Sequence, residues 1–477
     1  MCRENFHKML KINDLRAFFC SFLGCRLGFP RFFCLGLLVL SAALAGCGTG
    51  ERDGDRGAAE GDAQAAPVPQ SKPLPQACAE APEYFNSMSR LLRMGRLCGV
   101  DVTEIRAIVG RDTVVKRFVM LDSAEAAGDG SDLHRRRFPV GWTDATVLRL
   151  PIRKVVALSS THIGYLVRLG AADRIVAVGE GDYVADSALY ARVASGAVAE
   201  VGNGPSISLE KVVALEPDLV MTFATGGSND DYERLGALGL PLMLTSEWQE
   251  SDPVAKAEWI NLFVKLFDLD DRSKSGLSLF GDIRVGYLME TFEIMQFLGR
   301  MGDVKVSPDT LPASRKKAAK APGAKRCVRV LAGMAYGGVW HAPGADSYTA
   351  RLIRDAGGCY LWDSEAGSEL RLPLEKVLAV ADSADVWVNP GMFSSPKEML
   401  AAEPRIKKIR AFRNRKVFQN DARRGPGGGN DFFESAPTRP VELLWNMARC
   451  FYPDIPAPKN INSVDTTYKW YRNIYNF

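Results

Sequence analysis

The sequence predicts an α/β protein: two doubly wound α/β lobes joined by a long rigid helix, with a small β-rich extension on the N-terminal side. Three observations predict it. From Pro151 onward, short apolar runs alternate with short amphipathic stretches, the spacing of a parallel sheet with helical crossovers. Between Asp252 and Met301 the pattern is helical throughout, and the alternation restarts at Val328. A chain of 477 residues, 47% apolar and 24% charged, has the composition and length for two or three domains with cores of their own.

Val201–Ala224 shows the repeating unit well. Gly202, Asn203, Gly204 and Pro205 supply turn chemistry, and Ser208 is placed to cap a helix. Leu209, Val212, Val213 and Leu215 give that helix an apolar face, Pro217 stops it, and Leu219–Phe223 reads as a buried strand. Val155–Leu158, Ile175–Val178 and Pro241–Leu244 are companion strands, with helices at Ile163–Leu169 and Asp230–Leu238. Ligands on such sheets sit beyond the carboxyl ends of the strands, which are Ser159–His162, Glu180–Tyr183 and Ala224–Ser228.

In the helical region, Trp259, Ile260, Phe263, Leu266 and Phe267 make one apolar face. Arg272–Arg300 reads as a single helix of about 43 Å, enough to reach from one domain to another. The second lobe has strands at Val328–Leu331, Asp385–Val388 and Arg415–Gln419. Its helices are expected at Ser347–Ala356, Leu374–Val380, Pro396–Ala402, Ile406–Phe412 and Thr438–Phe451. Before Pro151, Thr113–Leu121 and Thr146–Leu150 suggest strands of the extension. The expected domains are a signal at 1–46, a tether at 47–80, the extension at 81–150 and the first lobe at 151–250. A helical linker at 251–302, a surface insert at 303–326, the second lobe at 327–460 and a tail at 461–477 follow.

The formal charge of +4 comes from the first 46 residues, which hold six Lys/Arg and two Asp/Glu; the remainder carries 54 of each sign. No nucleic-acid surface is expected from that balance. Arg26 and Arg31 precede an apolar core, Phe32–Leu44, that is short for a bilayer span. It ends in Leu44-Ala45-Gly46-Cys47, which resembles the lipobox of bacterial lipoproteins. The resemblance implies cleavage before Cys47 and lipid on its sulfur, a firm anchor followed by a flexible tether. Of ten cysteines, Cys2, Cys20, Cys25 and Cys34 leave with the signal. Cys78, Cys98, Cys327, Cys359 and Cys450 remain without C-x-x-C spacing, so a zinc site is not expected. Cys78 and Cys98 can pair in an oxidising compartment, or stay as buried thiols.

Several phrases carry a family resemblance. IRKVVALSSTHIGYLVRLGAADRIVAVG and the Val201–Ala224 stretch resemble the first lobe of periplasmic binding proteins for iron–siderophore complexes, haem and cobalamin. GGVWHAPGADSYTARLIRDAGGCYLW, LEKVLAVADSADVWVNPG and GGNDFFESAPTRP are similar to the second lobe. The resemblance implies a monomeric substrate-binding protein, without enzymatic activity or a cofactor, lipid-anchored in the periplasm of the cell envelope. It implies capture of a metal chelate between the lobes, a ferric siderophore first and haem or cobalamin next, and delivery to the permease and ATPase of an ABC importer. It also implies an acidic docking residue on top of each lobe, carried over here to Glu210 and Glu375. The bland explanation is that a glutamate in a first helical turn is favoured by the helix dipole.

Ligand contacts are expected from His162, Tyr183, Trp340, His341, Tyr348, Arg423, Arg439 and Phe432. His162 and His341 are the candidates for a metal, or for a hydrogen bond to a ligand carboxylate. The aromatic residues, with Phe433, would wall the cleft, and the arginines flanking Gly425–Gly429 would neutralise an anionic chelate. Two rivals stay open: a chelatase-like enzyme of similar fold, and a haem-scavenging lipoprotein without a transporter. No G-x-S-x-G or H-E-x-x-H motif supports an enzyme.

Overall fold

A computed structural model describes residues 81–122, 138–139, 141–228, 230–270, 277–299, 326–456, 465 and 467–476. The signal, Cys47, Cys78, the tether and the insert up to residue 325 lie outside the described residues.

The extension is a five-stranded sheet in the spatial order of its strands: β1 (Glu83–Tyr84), β2 (Leu92–Leu97), β3 (Val100–Val109), β4 (Asp112–Leu121) and β5 (Thr146–Arg149). β3 and β4 are long because β-branched residues recur along both, and Val109 pairs with Asp112 across a two-residue turn. Gly110, at φ 63°, supplies the left-handed position that turn needs. β5 closes the sheet parallel to β4.

The first lobe alternates β6 (Val155–Ala157), α1 (Ser160–Arg168), β7 (Ile175–Val178), α2 (Ser187–Ala194), β8 (Ala199–Glu200), α3 (Leu209–Ala214), β9 (Leu219–Thr222), α4 (Tyr232–Gly236) and β10 (Leu242–Leu244). Its sheet runs β10-β9-β6-β7-β8, all parallel. Every residue of β6 and β9 is buried, as expected of strands covered on both faces. Ser208 caps α3 by accepting from the Lys211 N–H, as its position predicts. α2 and β8 carry no strong periodicity and are seen only in the structure.

Among the described residues the linker holds α5 (Pro253–Glu258), α6 (Ile260–Phe267) and α7 (Leu279–Phe297). The helix expected at Arg272–Arg300 starts at Leu279, where the Ser278 hydroxyl accepts from the Gly281 N–H. Gly299, at φ 67°, ends it. Its 19 residues span about 28 Å.

The second lobe holds β11 (Arg329–Ala332), β12 (Met334–Tyr336), β13 (Val339–Pro343), α8 (Tyr348–Asp355), β14 (Cys359–Tyr360), β15 (Glu369–Pro373), α9 (Leu374–Val380) and β16 (Val386–Val388). α10 (Pro396–Ala402), α11 (Arg410–Arg413), β17 (Val417–Gln419), α12 (Asp431–Glu434), α13 (Pro440–Phe451) and β18 (Arg472–Asn473) complete it. The main sheet runs β14-β11-β16-β17-β18, with β18 antiparallel at the edge. β12, β13 and β15 make a separate antiparallel sheet that the sequence reading did not anticipate. The tail is part of this lobe: Trp470 and Ile474 are fully buried beside β18. A Cys327–Cys359 disulfide fastens the start of β11 to β14, a pairing that spacing alone does not reveal. Cys98 is disulfide-bonded as well, and Cys450 is a buried thiol held well above its ordinary pKa by burial.

The lobes meet backbone to backbone. A Cβ added at Gly164, in α1, would lie 1.7 Å from the Glu434 carbonyl oxygen in α12. Gly425, Gly427 and Gly429 likewise approach the backbone of residues 182–185. Gly164→Ala must therefore push the lobes apart, at a cost of about 1–3 kcal/mol. A chemical-denaturation midpoint shifted down by that amount is the expected result.

Candidate functional site

On the first lobe, two strand-end loops are locally organised by aspartates. Asp231 is buried, accepts from the Thr222 hydroxyl at 2.7 Å and from the Gly204 N–H at 3.3 Å, and is held above the usual carboxylate range by burial. Asp230 accepts from the Thr225 N–H and from the Gly226 N–H at 2.6 Å, which closes the loop after β9. Three aromatic side chains are exposed after strands of this lobe: Tyr183 after β7, Phe223 after β9 and Trp248 after β10. Phe223 and Trp248 meet edge to face at 6.5 Å.

On the second lobe the β12-β13-β15 sheet grows from the end of β11. Alternation along β13 sends Trp340 inward, where its indole N–H donates to the Ala332 carbonyl and its ring packs on Trp387. The same alternation sends His341 outward, with Nδ1 3.0 Å from Glu369 Oε1. Tyr336 stacks on Phe393 and meets the His341 ring edge-on at 6.0 Å. Its hydroxyl oxygen accepts from the Met392 N–H, and Met392 is 90% exposed in the loop after β16. Phe433 is also exposed, against Phe432.

Between the lobes lies a buried polar layer. The Glu434 carboxylate accepts from the Ala185 N–H at 2.7 Å and the Asp186 N–H at 2.8 Å, and burial raises its pKa to about 7. Asp252 pairs with Arg351 of α8 at 3.5 Å, and the Lys256 ammonium sits 4.3 Å from the centre of the Tyr348 ring. The Thr161 hydroxyl donates to Glu247, and His162 Nε2 lies 2.7 Å from the Thr245 hydroxyl. His162 Nδ1 and Glu247 Oε2 are buried with no hydrogen-bond partner among the described residues.

Several sequence-predicted contacts are therefore corrected. His162 is not at an open cleft; it is fully buried, and burial lowers its pKa, so it serves the core. Trp340 is core rather than cleft wall, because β13 is a strand where a loop was expected. Tyr348 is half-buried with the Lys256 ammonium over its ring, its hydroxyl pKa raised by burial, and belongs to the lobe interface. Arg423 pairs with Asp431 at 2.8 Å and Arg439 with Glu442 at 3.5 Å, and both stack on Tyr468. Phe432 is half-buried against Tyr471. Of the eight, Tyr183 is exposed after β7, while His341 on β13 and Arg423 after β17 are partly exposed. Phe223, Trp248, Tyr336 and Met392 were missed: Phe223 was read as the end of a buried strand, Trp248 and Met392 follow strands that could be read, and Tyr336 lies in the unanticipated β12.

Glu210 lies exposed in the first turn of α3, with the Ser208 hydroxyl donating to it at 3.3 Å. Glu375 occupies the matching turn of α9 and pairs with Arg405 at 2.9 Å.

Two lobes built on largely parallel main sheets are joined through helices and carry exposed apolar side chains. Residues 155–275 match the periplasmic binding protein family. A vitamin B12-binding protein of Vibrio parahaemolyticus is 28% identical over 139 residues, which make up 28% of this chain and 45% of that protein. An uncharacterised lipoprotein of Methanocaldococcus jannaschii is 19% identical over 318 residues, 65% of this chain and 67% of its own. The chain thus spans two thirds of one relative and less than half of the other. Among solved structures, Helicobacter pylori CeuE with nickel(II) bound superposes with a TM-score of 0.46 at 14% identity, covering 67% of this chain and 90% of that one.

Lys256 gives the interface a pH signature. Burial lowers its pKa from 10.5 to about 8, opposed by Glu247 and Glu250. Between those values the unfolded chain holds the proton and the folded chain releases it, so this group makes stability rise with pH across that window. The full effect is about 3 kcal/mol. In urea melts, the stability advantage of Lys256→Met over the wild type should shrink steadily from pH 8 to pH 10.

Proposed function

We propose that this protein is a lipid-anchored carrier, held by Cys47, that captures a metal chelate between its lobes and delivers it to an ABC importer. The observation that carries the reading is a set of large exposed apolar side chains: Tyr183, Phe223 and Trp248 after strands of one lobe, with Tyr336 at the end of β12, Met392 in the loop after β16 and Phe433 in α12 of the other. Exposed apolar surface of this kind marks a binding site. The arginines flanking the glycine loop are already matched, Arg423 to Asp431, Arg424 to Asp421 and Arg439 to Glu442. That balance favours a chelate with broad apolar faces and little net charge, of the haem or cobalamin kind, over an anionic catecholate. His341 is the residue we assign to the metal or to a polar edge of the ligand, oriented by Glu369.

Titration with haem, cobalamin and ferric siderophores should quench tryptophan fluorescence, and Trp248→Phe should remove most of the change. Lack of quenching by every chelate would sink the reading. For delivery, Glu210 and Glu375 are the docking pair. Reversing both charges to lysine should abolish uptake in cells while chelate affinity stays within twofold. Unchanged uptake would favour a scavenger without a transporter.

A further inference from the structure

The extension is built into the first lobe at the loops that carry Phe223 and Trp248. β2 ends its pairing at Leu92↔Ile105, with the Arg106 N–H still donating to the Leu91 carbonyl, which leaves the β3 edge from the Arg106 carbonyl to Ile108 open on that side. An open edge presents unpaired N–H and C=O groups. Here the first lobe fills it. The Gln249 side chain does so as a peptide would: its Oε1 accepts from the Ile108 N–H at 2.8 Å and its Nε2 donates to the Ile108 carbonyl at 2.6 Å. The Ser246 hydroxyl donates to the Arg106 carbonyl at 2.6 Å, and the Gly110 N–H donates to the Thr225 carbonyl at 3.0 Å. Gly226 touches the hairpin turn so closely that a Cβ there would lie 2.2 Å from the Gly110 nitrogen. Ala107 shares a small core with Ala224 and Leu244. Behind the loop, the Glu258 carboxylate accepts from the Met88 and Ser89 N–H groups, both at 2.8 Å, so the extension satisfies a buried charge of the linker.

Resting on the carrier reading, we infer that the extension is a positioning scaffold for the ligand site, and that Gln249 is its key positioning residue, setting Trp248 through the open edge of β3. Trp248 is flanked by Glu247, tied to Thr161, and by Gln249, tied to Ile108. With both neighbours held, the indole is presented without the entropy of ordering a loop on binding. Gln249 reaches no ligand itself; its effect runs through Trp248.

A double-mutant cycle on the full chain separates that role from general stability. The probes are haem and cyanocobalamin, and the readout is the dissociation constant by calorimetry with the unfolding midpoint measured in parallel. Gln249→Ala should weaken the better-bound chelate about 5- to 20-fold. In a Trp248→Ala background the same change should alter affinity less than twofold, because nothing is left to position. Acrylamide should also quench Trp248 more readily in ligand-free Gln249→Ala. Wild-type binding with equal losses from Gln249→Ala in both backgrounds, or with no loss at all, overturns the scaffold and leaves the carrier reading standing. No binding of any chelate by the wild type overturns both.

Discussion

The carbonyl of Glu434 occupies the space where residue 164 would otherwise carry a side chain, and the spacing of the two lobes depends on that contact. Gly164 lies in α1, which leaves the end of the central strand β6, and Glu434 ends α12 of the other lobe. A backbone-to-backbone approach cannot be repacked by rotating a side chain, so it sets the distance between the lobes directly. The Glu434 carboxylate then takes two N–H groups of the facing loop, and three glycines let residues 425–429 lie flat on residues 182–185. One side of the lobe pair is closed by backbone, with the Tyr183 side chain exposed at its edge, while Phe223, Trp248 and Met392 are exposed on other strand ends.

Charge is handled differently on the two sides of this contact. Within it, Lys256 and Glu434 are buried, and both have pKa values moved toward neutrality by loss of water. Outside it, the arginines near the glycine loop are paired with carboxylates and stacked on Tyr468. Buried pairs of this kind add little net stability but are costly to break. They specify how the lobes sit.

Much of the fold was legible because it follows from short-range physics. The Ser208 cap, the buried runs of β6 and β9 and the restart at β11 are local signals, and the structure repeats them. What was not legible needed tertiary knowledge. His162 follows a strand, as a cleft residue should, yet lies beneath the loop that carries Glu247. Trp340 and His341 differ by one position, and only the register of β13 sends one to the core and the other outward. The fastening of the extension to the first lobe runs through one glutamine side chain and a strand edge, which no periodicity encodes. The Cys327–Cys359 bridge joins cysteines 32 residues apart with no motif between them.

The central claim is that one ligand engages the strand-end loops of both lobes. Amide hydrogen exchange with and without a bound chelate tests it most directly. The account predicts slowed exchange at residues 180–184, 223–228 and 245–249 of the first lobe together with 334–341 and 389–394 of the second. Protection confined to one lobe, or appearing only away from these loops, would contradict it.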